Sequence, residues 1–246
     1  MTIPMKMKPF VRDDFQVMLA ICLYMMMVVM FLPTIYRMTF RICQEKEMKT
    51  KESMMMMGLK LFPYWASWYV YYLGIISIQI ILVWCLMFGI FKRIDMLMVG
   101  VFYFLFALSN FGWIMTFQAL FSKARIAAIV ATTCYLSSIL GYILTMNEAG
   151  LSKRGNTFIS LFPCAGMSLT TNVMLQFETS GIGIGFNNWD TVFKGWSVKD
   201  GMIMMAIDNV IWMVIGIYLE MVMPKEFGKP VKPWFMFLPS WWCPKR

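Results

Sequence analysis

Five long apolar stretches set the fold class of this chain. They cover residues 15–36, 64–91, 96–121, 126–146 and 202–223. The hydrocarbon core of a bilayer takes about 20 helical residues at about 1.5 Å each, so every stretch is long enough to span it. Inside lipid the backbone must satisfy its own polar groups, which favours helices over open strands. The expected fold is all-α and integral to a membrane. Composition agrees: 60% of the 246 residues are hydrophobic and 14% are charged, far less charge than a soluble domain carries. The first stretch exceeds the roughly 7–15 residues of a signal-peptide core, and no small-x-small cleavage site follows it. It reads as an uncleaved anchor.

A sixth, weaker stretch at 158–177 contains Pro163, Gly166, Ser168, Thr170, Thr171 and Asn172. Such a segment survives at membrane depth only when buried in protein or facing water. It is read as a re-entrant or exofacial helical hairpin over 155–178. The Gly-rich run 180–185 after it reads as a flexible outer loop. Lys and Arg concentrate on the cytoplasmic side of membrane proteins. With five spans and the N-terminus outside, the inner segments 37–63, 122–125 and 224–246 hold thirteen of the 22 basic residues. Residues 1–223 are thus expected to form one polytopic domain, and 224–246 a cytoplasmic tail.

Several chemistries are excluded or unsupported. The chain has no histidine, so His-based acid–base catalysis and His metal ligation are absent. Its six cysteines form no CxxC pair, which argues against a zinc site or a disulfide framework. The Gly-rich run does not match the GxxxxGK[ST] phosphate loop. No catalytic, cofactor or metal residue is assigned. The net charge of +9 is scattered through short loops, which suits topology and lipid headgroups rather than nucleic acid. The 28 methionines carry no functional reading.

One charged island interrupts the apolar pattern, at 44–59. An amphipathic cytoplasmic helix is predicted over 44–58, with Glu45–Lys49 and Glu47–Lys51 as i,i+4 pairs and with Met48, Met55, Leu59 and Phe62 on one face. Gly58 is a plausible stop, and Pro63 should break the helix before the next span. Periodicity leaves two readings open: a helix lying on headgroups, or one that docks a soluble partner. Surface i,i+4 pairs are weak, so reversing Glu45 and Glu47 to Lys is expected to uncouple a docked partner without unfolding the membrane core.

Polar residues within the spans are Asn110, Gln118, Asp208 and Glu220. They should face other helices or a cavity. For the two acids the expectation is anchoring near the interface through hydrogen bonds. Tyr64, Trp65, Trp68, Tyr69, Tyr71 and Tyr72 read as an interfacial aromatic belt. Ala127/Ala131, Ala128/Thr132 and Ser137/Gly141 are small-xxx-small pairs that permit close helix approach.

Two blocks carry a family resemblance. Glu45-Lys46-Glu47-Met48-Lys49-Thr50-Lys51-Glu52, followed by Met57-Gly58-Leu59, resembles the cytoplasmic segment after the second span of A-subfamily ABC transporters. Tyr218-Leu219-Glu220-Met221-Val222-Met223-Pro224-Lys225-Glu226-Phe227-Gly228, with Pro233-Trp234 beyond, resembles the family's connection from its last span to the nucleotide-binding domain. Lys225 replaces the family's glycine. Phe121-Ser122-Lys123-Ala124 and Phe162-Pro163 are weaker matches. The resemblance covers about residues 15–243. It implies spans two to six of one membrane half of the ABC-2 exporter kind, without the first span, the exofacial domain or the nucleotide-binding domain.

Several roles follow from the resemblance alone. Glu45, Lys46, Glu47, Met48, Lys49, Glu52, Met55, Gly58 and Leu59 are implied to couple to an ATPase domain. Pro224, Glu226, Gly228, Pro233 and Trp234 are implied to link to it. The implied partners are a nucleotide-binding domain, a second membrane half and membrane lipids, with lipid as substrate. ATP and Mg belong to the partner domain, because this sequence has no Walker A or signature motif. The alternatives are a free-standing carrier or channel, or a non-transporting remnant or regulatory membrane protein.

Overall fold

The computed structural model of the chain describes residues 14–137, 153–181, 183–193 and 195–223. The second half of the fourth apolar run and the tail 224–246, with all five linker residues, lie outside them. Eight helices are described: α1 (Asp14–Glu47), α2 (Thr50–Met56), α3 (Leu61–Ile90), α4 (Met96–Leu120), α5 (Ala124–Ser137), α6 (Lys153–Ile159), α7 (Pro163–Thr179) and α8 (Val198–Val222). A two-stranded antiparallel ribbon, β1 (Val192–Phe193) with β2 (Trp196–Ser197), precedes α8. Among the described residues four helices are long and apolar enough to cross a membrane: Cys22–Glu47 within α1, α3, α4 and α8. α5 is a shorter apolar helix. The all-α expectation holds.

α4 is the most enclosed of the long helices and α3 the least. α4 therefore stands at the centre, with α1, α3, α5 and α8 packed around it. Its tightest neighbour is α8. A Cβ on Gly112 would come within 2.8 Å of Trp212 Cβ and 2.9 Å of the Met213 nitrogen. One on Gly216 would come within 2.8 Å of Met115 Cβ. The paired positions rise together along the two helices, so α4 and α8 run parallel. Without side chains at Gly112 and Gly216 the backbones meet directly, and Thr116 Oγ1 donates across to the Trp212 carbonyl at 3.1 Å. The small residues of α5 are also buried: Ala124 and Ala127 pack with Cys43, and α5 lies chiefly against α1.

Helix boundaries differ from the sequence reading in ways local chemistry explains. α1 runs past residue 36 to Glu47 as one helix, because its far end buries Ile42 and Cys43. Pro63 does not precede α3; it sits in its first turn, where a missing N–H leaves no hydrogen bond unmade. α8 starts at Val198, where the Ser197 hydroxyl caps the Asp200 N–H at 3.1 Å. The segment 155–178 forms α6 and α7, joined by a short turn. α7 is buried along most of its length and packs on α1, α4 and α8.

α7 also holds one end of the bundle. The Glu178 carboxylate accepts the N–H groups of Lys92, Arg93 and Ile94 at 3.0–3.2 Å, closing the α3–α4 turn. The Gly-rich run packs against that turn: the Asp95 N–H donates to the Ile184 carbonyl at 2.9 Å, and a Cβ at Gly183 would strike the Arg93 carbonyl oxygen.

Candidate functional site

The opposite end of the bundle gathers the C-terminal ends of α1, α4 and α8 with the N-terminal ends of α3 and α5. The charged island lies here. It is not the single helix 44–58 expected. Glu45, Lys46 and Glu47 complete the last turn of α1. The chain then breaks at Lys49, whose φ of 58° is left-handed, before α2 begins at Thr50. Tertiary bonds prevail over the weak local i,i+4 pairing, since each of four charged residues reaches a different part of the bundle.

Glu45 Oε2 accepts the Tyr64 hydroxyl at 2.9 Å, tying α1 to α3. Lys46 Nζ donates to the carbonyls of Gln118, Ala119 and Phe121, most closely Phe121 at 3.2 Å. A cation there meets the unpaired carbonyls and the negative end of α4. Glu47 Oε2 accepts the Ala124 N–H at 3.0 Å, placing an anion at the positive end of α5. The last turn of α1 thus caps two other helices with charges of the appropriate sign.

Lys51 is the centre of the junction. It is the buried residue of α2. Its Nζ donates to Glu220 Oε1 at 2.5 Å, with the two side chains 8% and 4% exposed. Its ammonium also lies 4.9 Å from the Tyr64 ring centre and 4.8 Å from that of Trp65, within cation–π range. Gln118 Nε2 donates to the second carboxylate oxygen of Glu220 at 3.0 Å. One buried cation and one buried carboxylate therefore join α2, α3, α4 and α8.

The remaining residues separate into an outward face and a deep pair. Met48, Met56, Met57, Leu59 and Phe62 are exposed, Met56 and Phe62 above 80%. Met55 and Glu52 are half-buried. Gly58 takes φ +100° where the chain leaves α2, a turn that favours glycine. Asn110 and Asp208 lie away from the junction, within α4 and α8. Both are fully buried, and among the described residues neither side chain has a hydrogen-bond partner. That corrects the reading of Asp208 as a hydrogen-bonded interfacial anchor. It stands near the middle of α8, because that helix begins earlier than the apolar pattern suggested. Glu220 is held as a buried ion-pair partner rather than by headgroups.

Sequence reasoning missed Lys51, Tyr64 and Trp65 as members of this site. The available signal was Glu220: an acid at the end of a span calls for a cation at the same level. The double reversal of Glu45 and Glu47 is also not the mild surface change expected. It would remove the Tyr64 contact and the cap on α5.

The fold and the junction define an all-helical membrane bundle whose span ends converge on a short outward strip. The family described as ABC-2 family transporter protein matches residues 6–218. The chain belongs to that family and is an integral membrane protein. It is 27% identical over 252 residues to the human (Homo sapiens) phospholipid-transporting ATPase ABCA3, covering 96% of this chain and 15% of that protein. It is 25% identical over 242 residues to the mouse (Mus musculus) retinal-specific phospholipid-transporting ATPase ABCA4, covering 95% of this chain and 10% of that protein. The mouse cholesterol transporter ABCA5 is 26% identical over 224 residues, which is 89% of this chain and 13% of that protein. The chain thus spans between a tenth and a sixth of the length of these curated relatives. The homology to A-subfamily transporters extends over most of the chain.

Proposed function

We propose that the chain is a membrane-domain part of an ATP-driven ABC transporter that moves a lipid or another amphipathic substrate, with ATP hydrolysis supplied by a nucleotide-binding domain outside these residues. The names of its relatives speak of phospholipid and cholesterol transport; the substrate class is carried over from them. A second membrane half completes the pathway. In this reading the junction and the C-terminus face the cytoplasm, which the basic-residue bias supports.

The observation that carries this reading is the junction itself. α2 exposes Met56 and is followed by exposed Met57 and Leu59, while its inner side is bonded to the ends of the spans. A soluble domain can drive membrane helices only through contacts that differ between its states. A short outward helix fixed to several span ends provides that contact. In this reading the part these residues play is mechanical.

The test is reconstitution in vesicles with the ATPase domain and the second half present. A cysteine at exposed Ser53 should crosslink to the ATPase domain, and labelled phospholipid should cross the bilayer in an ATP-dependent way. No crosslink and no ATP-dependent movement would overturn the assignment.

A further inference from the structure

We infer that the Lys51–Glu220 ion pair is the positioning link through which displacement of α2 reaches the last span, α8. This rests on the coupling reading above and names the side chains that perform it.

The argument begins with the main chain. α2 is seven residues long and the backbone bends sharply on either side of it, at Lys49 with φ 58° and at Gly58 with φ +100°. Neither connection continues a helix into α2, so no rigid rod joins it to α1 or α3. Its hold on the far spans comes through side chains. Within α2 the buried one is Lys51, and its ammonium meets Glu220 in the last turn of α8, 169 residues away in sequence.

The receiving end is braced. Gln118 of α4 holds the other oxygen of Glu220. α4 and α8 are further locked by backbone contact at Gly112 and Gly216. A push on Glu220 therefore moves α8 together with the central helix. The ammonium in turn is confined by the faces of Tyr64 and Trp65. It cannot slide along α8 without leaving two aromatic surfaces and its counter-ion.

The chemistry favours this role over simple packing. A buried ion pair adds little net stability beyond what apolar residues of similar size would give, because desolvation offsets the attraction. What it fixes is relative position. Pulling the two apart works against the attraction of opposite charges at low exposure, so the pair resists stretching more than an apolar contact does.

The experiment separates positioning from packing. All chains carry Ser53→Cys, with Val214→Cys added and the exposed Cys22 and Cys85 replaced by Ser for the distance measurement, and are reconstituted with the ATPase domain and second half. The key variant is Lys51→Met with Glu220→Gln, which removes both charges of the pair together and keeps an acceptor for Gln118; Lys51→Met alone is the companion. Three quantities are read: the Ser53 crosslink, the nucleotide-dependent change in distance between spin labels at Ser53 and exposed Val214 of α8, and phospholipid movement. The double variant should keep the native melting midpoint and crosslink yield. It should lose the native dependence of the Ser53–Val214 distance on nucleotide, and lipid movement should fall at least about tenfold, the factor that corresponds to a modest coupling free energy. Native movement and native distance change in the double variant would overturn the inference, since the pair would then only fill space. Loss of the crosslink would also overturn it, by showing an effect on docking. Failure of the native pair of residues to crosslink or to transport would sink the coupling reading itself, a result distinct from either.

Discussion

The carboxylate of Glu47 closes the start of α5 from another helix, accepting the Ala124 N–H at 3.0 Å across 77 residues of sequence. Helix N-termini leave amide donors unpaired, and an acidic oxygen there also meets the positive helix end. Glu47→Ala should therefore cost about 0.5–2 kcal/mol, the usual range for a lost cap. Hydrogen exchange in the first turn of α5 should accelerate with it. Unchanged exchange at Ala124 would show that another group satisfies the amide.

The spans were legible because lipid imposes a length and an apolar character that a single sequence displays directly. Their ends were less so. The pattern stopped the first span at residue 36 because Arg37 and Arg41 follow, yet Ile42 and Cys43 are buried and α1 continues. The charged island was legible as a special segment, but its internal pairing was not. Local spacing offered Glu47 to Lys51, whereas the fold gives Glu47 to α5 and Lys51 to α8. No short-range rule reports a contact made 77 or 169 residues away. The same holds for α4 and α8: the sequence advertised small residues in α5, while the closest backbone approach uses Gly112 and Gly216, lone glycines on helices distant in sequence.

That close approach is sensitive to one carbon. Gly112→Ala places a methyl 2.8 Å from Trp212 Cβ and 2.9 Å from a backbone nitrogen, with no flexible side-chain end to give way. Overpacking of this kind costs about 1–3 kcal/mol. Gly216→Ala should behave alike. Gly74→Ala is the control, since nothing lies within 4 Å of its added carbon. Melting in detergent should drop for the first two and not for the third. Equal midpoints for all three would mean that the helices do not meet at this register.

Thiol labelling tests the orientation, but not through the native Cys43 and Cys164. Cys43 is fully buried, with its thiol directed to the Phe121 carbonyl, and Cys164 is 1% exposed. Neither should react with an impermeant reagent in the folded protein. Cys243 lies outside the described residues. Exposed positions at the two ends of the bundle serve instead: Ser53→Cys at the junction and Thr157→Cys in α6. With the junction cytoplasmic, intact cells should label Thr157→Cys and spare Ser53→Cys until they are permeabilised. Labelling of both from outside would overturn the proposed orientation.

Asp208 poses the sharpest question about stability against function. It stands near the middle of a spanning helix, fully buried, and neither carboxylate oxygen has a hydrogen-bond partner among the described residues. A buried polar group without partners carries a penalty of about 1–3 kcal/mol. Removing the group should recover it, so Asp208→Leu is expected to raise the melting midpoint, with Asp208→Asn between the two. Over 150–250 residues each kcal/mol corresponds to about 2–4 °C. A residue retained at that cost inside a membrane protein is a candidate for function by default, because ionisable groups there mark pathways and moving parts. ATP-dependent lipid movement should therefore fall in Asp208→Leu even as the protein becomes harder to melt. A variant that is both more stable and fully active would assign Asp208 no part in transport. One that melts lower would show that the carboxylate does bond a partner in the assembled protein.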